Sequence, residues 1–566
     1  MKRLNIGTLL ALMFSGDSVI LPLRQPIFRR IWIASLLTNL GTLIQGVGAA
    51  WAMTQLNVAP DLIALVQTAT MLPVMIMSFP AGAVADMYDR RIVGLAAVSI
   101  AFTGASVLSA ITFFGAITPA ILLAFCFIIG CGMALFAPAW QASVSEQVTP
   151  EALPSAVALN SISYNIARSF GPAIGGVIVA AAGAVAAFLT NAVFYIPLFA
   201  VLYRWQRPKE PSRLPPERLT RAIVAGMRYI LHSPPIRIVL TRTILTGVAG
   251  GSVSALMPLV ARDLLGGGAQ TYGIMLGAFG IGAVVAALNV SFVRRRFDHE
   301  AAVRVCLMAM GAAVAIVAVN RSPTVAVAAL AVAGAAWMMS VALFNIGIQL
   351  SSPRWVAGRV LAAFQAAISG GIAFGGWGWG LMAKDFSVET ALLVSAVMLF
   401  VSPLAGLWLR MPLVAGPNAD ALNILADPQV RLPLTGRSGP IVIEIEYRIA
   451  PANARAFYSV MQDVQLSRQR NGAYGWSIAR DVAIPEAWTE RFHYPTWHDF
   501  LRQRNRPTLS ERDLQARATA FHLGPEPVRI RRMLERPFGS VRWSEEVPDR
   551  SLTEVLPITT PSGSGA

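Results

Sequence analysis

Long apolar runs alternate with short polar connections from residue 31 to residue 409, and twelve of them are long enough to cross a bilayer. A spanning helix needs about 20 mostly apolar residues. The runs fall near 31–53, 62–84, 92–114, 118–140, 153–182, 184–203, 238–261, 271–293, 302–319, 324–348, 359–383 and 389–409. The 153–182 run carries the most polar residues. This pattern predicts an all-α polytopic membrane protein.

After residue 440 the period changes. Ile441, Ile443, Ile445 and Tyr447 alternate with Val442, Glu444, Glu446 and Arg448, which predicts a strand. Helical spacing follows over 452–470. Residues 473–480 and 487–494 read as two further strands, 497–506 and 510–522 as helices, and 528–534 as a fourth strand. The order β-α-β-β-α-β predicts a small α+β ferredoxin-like domain. Pro412, Gly416, Pro417, Pro428, Pro433, Gly436, Gly439 and Pro440 mark 411–440 as a linker.

Composition sharpens this reading. The chain is 55% hydrophobic and only 13% charged, against about 25% charged in soluble proteins. That excludes a water-soluble enzyme and a disordered chain. The net charge of +16 divides into +14 over 1–411 and +2 over 412–566. The excess therefore sits in the loops of the apolar part, where basic residues set orientation and nucleic acid is not the partner. One set of loops holds 22 lysines and arginines; the opposite set holds only Arg262, Arg321 and Lys384. This places both termini and the 206–235 loop in the cytoplasm. That basic loop reads as a linker held against anionic headgroups. Lys2 and Arg3 before Ile6–Phe14 look like the start of a signal peptide, but no small-residue cleavage site follows, so 1–26 is expected to be a cytoplasmic or interfacial extension. Cys126, Cys131 and Cys306 lie inside apolar runs and read as buried hydrophobes, without disulfides or metal. No P-loop, zinc-ligand pattern or Ser-His-Asp arrangement appears in the membrane part, and no cofactor is expected.

An internal repeat is visible. Ala134-Leu135-Phe136 with Gln141 recurs as Ala342-Leu343-Phe344 with Gln349, an offset of 208. Gly171–Gly176 and Gly371–Gly376 match near the ends of the fifth and eleventh runs, and Gly82 and Gly282 close the second and eighth, each followed by arginines. Two parallel six-helix halves, 27–205 and 236–410, account for this. Such an arrangement resembles the major facilitator superfamily of transporters.

Two motifs carry the resemblance. Gly82-Ala83-Val84-Ala85-Asp86-Met87-Tyr88-Asp89-Arg90-Arg91 is similar to the superfamily's G-x-L-A-D-R-x-G-R-R signature, with Met87 and Asp89 departing from it. It implies a gate in which Gly82 lets the second span approach the eleventh closely. Asp86 would face a helix N-terminus, Arg90 and Arg91 would hold the loop, and Arg359 is a second partner. Ala167-Arg168-Ser169-Phe170-Gly171-Pro172-Ala173-Ile174-Gly175-Gly176 resembles the G-x-x-x-G-P-x-x-G-G pattern of export-type facilitators, with Gly171, Pro172, Gly175 and Gly176 in place. Pro138-Ala139-Trp140-Gln141 and Asn160-Ser161-Ile162 also look like the branch of enterobactin-type siderophore exporters and related drug exporters. The resemblance implies a secondary transporter in a bacterial inner membrane, exporting siderophore-like or drug-like small molecules by alternating access. It also implies proton antiport. The tail resembles dimeric α/β modules related to antibiotic-biosynthesis monooxygenases, which implies dimerisation, binding or regulation. His493, Trp497, His498 and His522 then read as packing groups. The competing classes are a membrane anchor for a catalytic or ligand-binding tail and an importer of the same fold.

Candidate cavity residues are Asn39, Gln45, Gln141, Asn160, Tyr164, Arg168, Trp337, Asn345, Gln349 and Gln365. For each, a helix–helix hydrogen bond is the alternative role. Arg168 stands out, because it falls near the middle of its span, roughly 20 Å from each end at about 1.5 Å per residue. Asn160, Tyr164 and Arg168 recur every fourth residue and share one helix face. A central arginine is costly by about 2.5–3.5 kcal/mol. It either bonds carbonyls freed around Pro172 or faces the cavity and receives an anionic group of the substrate.

Overall fold

The computed structural model describes residues 21–149, 152–205, 219–353, 356–411, 430–432, 434–504 and 509–535. Most of the expected N-terminal extension and linker, the 206–218 stretch and the final 541–566 segment lie outside the described residues. The chain forms two compact units. The first holds the membrane helices. The second gathers residues 220–237, 349–360 and the chain from 414 onward.

Among the described residues, eleven helices are long and apolar enough to cross a membrane. In chain order the long helices are α1 (Pro26–Gln55), α2 (Pro60–Met87), α3 (Arg90–Phe113), α4 (Pro119–Ser143) and α5 (Leu153–Arg204). After a shorter helix α6 (Leu219–Leu231) come α7 (Pro234–Leu259), α8 (Ala269–Arg296), α9 (His299–Val319), α10 (Pro323–Leu350), α11 (Ala357–Asp385) and α12 (Val388–Val401). Proline in the first turn starts α1, α2 and α4, where a missing N–H costs nothing.

Helix α5 has 52 residues, about 78 Å at 1.5 Å per residue, far more than one crossing requires. It is broken at Gly183, whose φ of 74° and ψ of 179° suit glycine. A Cβ there would meet nothing within 4 Å. The break is therefore set by backbone preference and not by crowding, and it falls between the two apolar runs read from the sequence.

The repeat has a chemical counterpart. Asp89 caps α3 by accepting from the Arg91 N–H at 2.9 Å, and Asp298 caps α9 by accepting from the N–H groups of Glu300 and Ala301. In the first half the Arg91 guanidinium donates to the carbonyls of Leu202 and Tyr203, at the end of α5. In the second half Glu300 takes the equivalent place with the charge reversed. It accepts from the Met411 N–H at 3.1 Å and pairs with Arg242 at 2.5 Å, while Arg242 also donates to the Leu409 carbonyl. Each half thus ties the last turn of its sixth apolar run to the start of its third.

In the second unit, β1 (Ile441–Arg448), α13 (Ala454–Arg470), β2 (Tyr474–Arg480), β3 (Ala487–Tyr494), α14 (Trp497–Arg504), α15 (Leu509–Thr519) and β4 (Arg529–Leu534) follow one another. The sheet order is β2-β3-β1-β4, with every pair antiparallel. Ile441, Ile443, Ile445 and Tyr447 bury one face of β1 against Phe457, Met461 and Val464 of α13 and Phe492 and Tyr494 of β3. Val442, expected on the solvent side, is also buried, between His493 and Met533 on the flanking strands. The last part of the expected linker belongs to this domain. The N–H groups of Trp497 and His498 donate to Ser438 and Gly436, so 436–438 is pinned to the start of α14.

A carboxylate lies inside the domain. Glu490 is 0% exposed and accepts from Arg468, from Trp476 Nε1 at 3.0 Å and from the Tyr447 hydroxyl at 3.2 Å. Arg468 also bonds Gln515 at 2.6 Å and lies over the Phe492 ring. Burial, with Glu490 adding to it, holds the Tyr447 phenol well above its usual range, so it stays protonated and donates. Removing one partner of a buried ion pair strands the other, at a cost of about 3–5 kcal/mol. Glu490→Gln is therefore expected to lower the unfolding free energy of an isolated 430–535 segment by that amount. Urea titration of the segment and its variant checks it; equal midpoints would contradict this account of the network.

Candidate functional site

The sequence places the site between helices α1–α5 and helices α7–α12, whose membrane parts belong to the first unit. At one end these two groups are in close contact. Lys384 on α11 lies 3.3 Å from Asp61 on α2, and the Thr68 hydroxyl donates to the Ala373 carbonyl at 2.7 Å. Trp51 stacks on Tyr272, and Arg262 donates to the Thr54 carbonyl. Between α5 and α8 the backbones touch at Gly176 and Gly273. A Cβ on either would lie 2.6 Å from the other's Cα, so no side chain fits.

The other end is different. A Cβ on Gly82 would meet nothing within 4 Å. Gly82 itself therefore makes no close approach to the eleventh span; α2 and α11 meet at the other end, where a Cβ on Gly380 would lie 2.6 Å from the Ala64 Cβ and 3.0 Å from the Asp61 Cα. Arg90 pairs with Glu146 at 2.7 Å, and Arg91 holds the end of α5, so both basic residues act within the first half. Asp86 sits in the last turn of α2, and its side chain lies outside the described residues. Arg359 belongs to the second unit, where its side chain lies against Gly226. Gly171 and Gly175 face α1, at Leu43 and Ile44 respectively.

Arg168 occupies the middle of the first segment of α5. Its guanidinium lies 5.9 Å from the Phe279 ring of α8 and 4.0 Å from the Met338 sulfur of α10. Among the described residues it has no carboxylate within ion-pair distance. Tyr164, one turn earlier, is 51% exposed. Gln141 and Gln365 are also exposed, while Asn39, Asn160 and Asn345 are half-buried. Gln349 is exposed and falls in the second unit. Two candidates are structural. Gln45 is buried and accepts from Asn191 on the second segment of α5, a helix–helix bond. Trp337 is buried, with its ring against Gly250. Both depart from the expectation that they line a cavity, because tight helix packing encloses them.

The model of the transmembrane secretion effector family matches residues 17–538. The chain belongs to this family of major facilitator transporters. It is a multi-pass membrane transporter of small molecules, not an enzyme. The staphyloferrin A transporter of Staphylococcus aureus is 28% identical over 45% of this chain and 64% of its own length. The match thus spans less than two thirds of that relative. The multidrug efflux pump Tap of Mycolicibacterium fortuitum is 25% identical over 70% of this chain and 97% of its own. The fold resembles a bacterial homologue of the human lysosomal transporter Spinster in an inward-facing, unoccupied conformation, with a TM-score of 0.56 at 12% identity over 69% of this chain and 97% of that one. It likewise resembles the nucleoside transporter NupG, with a TM-score of 0.58 at 14% identity over 68% of this chain and all of that one.

Sequence reasoning missed the residues that join the two helix groups in this transporter. Phe279, Met338, Gly273 and Thr68 carry no mark in an apolar run. Asp61 and Lys384 were legible as isolated charges at span edges, and their pairing follows from opposite sign at one end of adjacent helices. The contact geometry gives a prediction. Gly176→Ala puts a methyl into the Gly273 backbone, an overpacking cost of about 1–3 kcal/mol confined to the state with that end closed. Ala64 lies at the closed end of α2 and is 0% exposed; in detergent, with Cys126, Cys131 and Cys306 replaced by alanine, maleimide labelling of an Ala64→Cys reporter should rise about tenfold with Gly176→Ala, since about 1.4 kcal/mol is a factor of ten. It should not rise with Gly82→Ala, whose added methyl meets open space in this state.

Proposed function

We propose that this transporter exports siderophore-like or drug-like organic molecules across a bacterial inner membrane by alternating access. Twelve crossings form two six-helix halves, 27–205 and 236–410, which rock about a central site. The break of α5 at Gly183 supports the twelfth crossing. The 22-to-3 loop asymmetry supports cytoplasmic termini. With that orientation, the contacts of Asp61 with Lys384 and of Gly176 with Gly273 close the periplasmic end. Open space at Gly82 then marks the cytoplasmic end, a state suited to loading an exported compound. The reverse state would bring Gly82 against the eleventh span and engage Asp86 and Arg359. The Gly171–Gly176 motif and the relative named as an efflux pump support outward transport over import. Proton coupling is proposed on the family resemblance alone. The strand order of the tail supports a ferredoxin-like domain, and its role is proposed to be binding, regulation or dimerisation.

One observation carries the chemistry. Arg168 is a cation near mid-span, set against a ring and a thioether, both of which tolerate a charge without neutralising it. Its face also carries the exposed Tyr164. We assign Arg168 to an anionic group on the substrate, such as a carboxylate or catecholate. Arg168→Gln is expected to lower transport of anionic compounds in inside-out vesicles by about tenfold to a hundredfold, the worth of a charge-assisted hydrogen bond of about 1.5–3 kcal/mol. Arg168→Lys should retain part of it, and neutral compounds should be little affected. Equal loss for both classes, at normal protein level, would return Arg168 to a structural role. Asp86→Asn should leave expression intact and slow transport of every substrate alike, as a gate does; unchanged efflux would count against the gate.

A further inference from the structure

Helix α6 has two unlike faces. One is covered within the second unit. Tyr229 is 3% exposed beneath the Arg470 guanidinium, which lies 5.3 Å from its ring centre. Gly226 is buried against the methylenes of Arg359, and Arg228 lies against the turn at Gly472. Arg470 is itself fixed by Glu511 at 2.6 Å, so the tail grips this face through a held cation. The other face is bare. Val224, Met227 and Leu231 are 58%, 38% and 56% exposed. Their spacing of three and four residues aligns them in one stripe along the helix.

We propose that α6 is an interfacial helix, inserting the Val224–Met227–Leu231 stripe into the cytoplasmic leaflet while its opposite face holds the tail domain. Two observations choose lipid as the occupant. Only His232 and Ser233 separate α6 from α7, which begins at Pro234, four residues before its apolar run at 238. Two extended residues reach at most about 7 Å and four helical ones add about 6 Å, so α6 stays close to the bilayer surface. The 204–237 segment carries eight lysines and arginines against two glutamates, the sign that anionic headgroups attract. An amphipathic helix with an apolar stripe and basic surroundings lies in the headgroup region with that stripe downward. The tail then rides on a membrane-bound helix that leads directly into the first span of the second half.

The choice of leaflet rests on the orientation proposed above; insertion itself does not depend on substrate or direction of transport. The test uses the full chain with Cys126, Cys131 and Cys306 replaced by alanine, in phosphatidylcholine discs containing phosphatidylglycerol. Nitroxides are placed singly at Val224→Cys, Met227→Cys and Leu231→Cys, with Val482→Cys, 98% exposed in the tail, as the aqueous control. All three test positions are exposed, so labelling does not disturb packing. Collision with oxygen is expected to exceed collision with a nickel chelate at 224, 227 and 231, and the order is expected to reverse at 482. Chelate collisions dominating on the stripe would overturn the proposal by showing a solvated face. Exclusion of both reagents would also overturn it, showing that protein, such as a second copy, covers the stripe.

Discussion

Lipid offers no partner to an unpaired peptide group, and the first unit is organised by that fact. Helices satisfy their own backbones, which leaves side chains as the means of joining them. Several donors that bridge helices aim at carbonyls, which have a second lone pair to give. Thr68 reaches Ala373, Trp379 reaches Val248 at 2.7 Å, Trp32 reaches Leu159 at 2.9 Å and Thr38 reaches Phe194. Where no polar side chain intervenes, small residues allow the backbones to meet, as at Gly176 and Gly273. Between the halves, the Thr68–Ala373 bond and the Gly176–Gly273 contact are joined by the ion pair of Lys384 with Asp61.

The same solvent makes charge conspicuous. Arg242, 2% exposed, is matched by Glu300, and Arg90 by Glu146. Both pairs fasten helix ends within one half. Arg168 differs in that it crosses from α5 to α8 and α10 and meets a ring and a sulfur atom. A cation left on polarizable partners keeps much of its electrostatic reach. It also lies where the two helix groups meet, so under the proposed mechanism a bound anion would link charge neutralisation to the change of state.

The second unit obeys the rules of water. Its strands alternate, its helices bury one face, and its buried Glu490 is fully engaged by Arg468, Trp476 and Tyr447. Helix α6 joins it through Tyr229 and Arg470, with an apolar stripe left over on the far side. An element with one face on protein and one face suited to lipid is the point at which the two solvents of this chain meet.

The sequence by itself determined that the chain crosses a membrane many times, because run length and apolarity answer directly to bilayer thickness, and its boundary between two runs falls at the helix break at Gly183. It also determined the β-α-β-β-α-β order of the tail, since a period of two and a period of 3.6 are legible without contacts. It singled out Arg168, because a charge within an apolar run violates the local pattern. Only the tertiary structure decided which small residues carry the contact between the halves: Gly82 and Gly176 look alike in sequence, yet one faces open space and the other a backbone 2.6 Å away. It also decided that Gln45 serves Asn191 and that Trp337 fills a gap beside Gly250, since a polar or aromatic residue in a span reads the same whether it faces a cavity or a neighbour. It reversed the charge of the second helix-end tie from Arg91 to Glu300, a change that makes sense only once Arg242 is seen beside it. The physical reason is common to all three. Burial in a membrane protein depends on which face of a helix meets which neighbour, and an all-apolar helix carries no periodicity that says so.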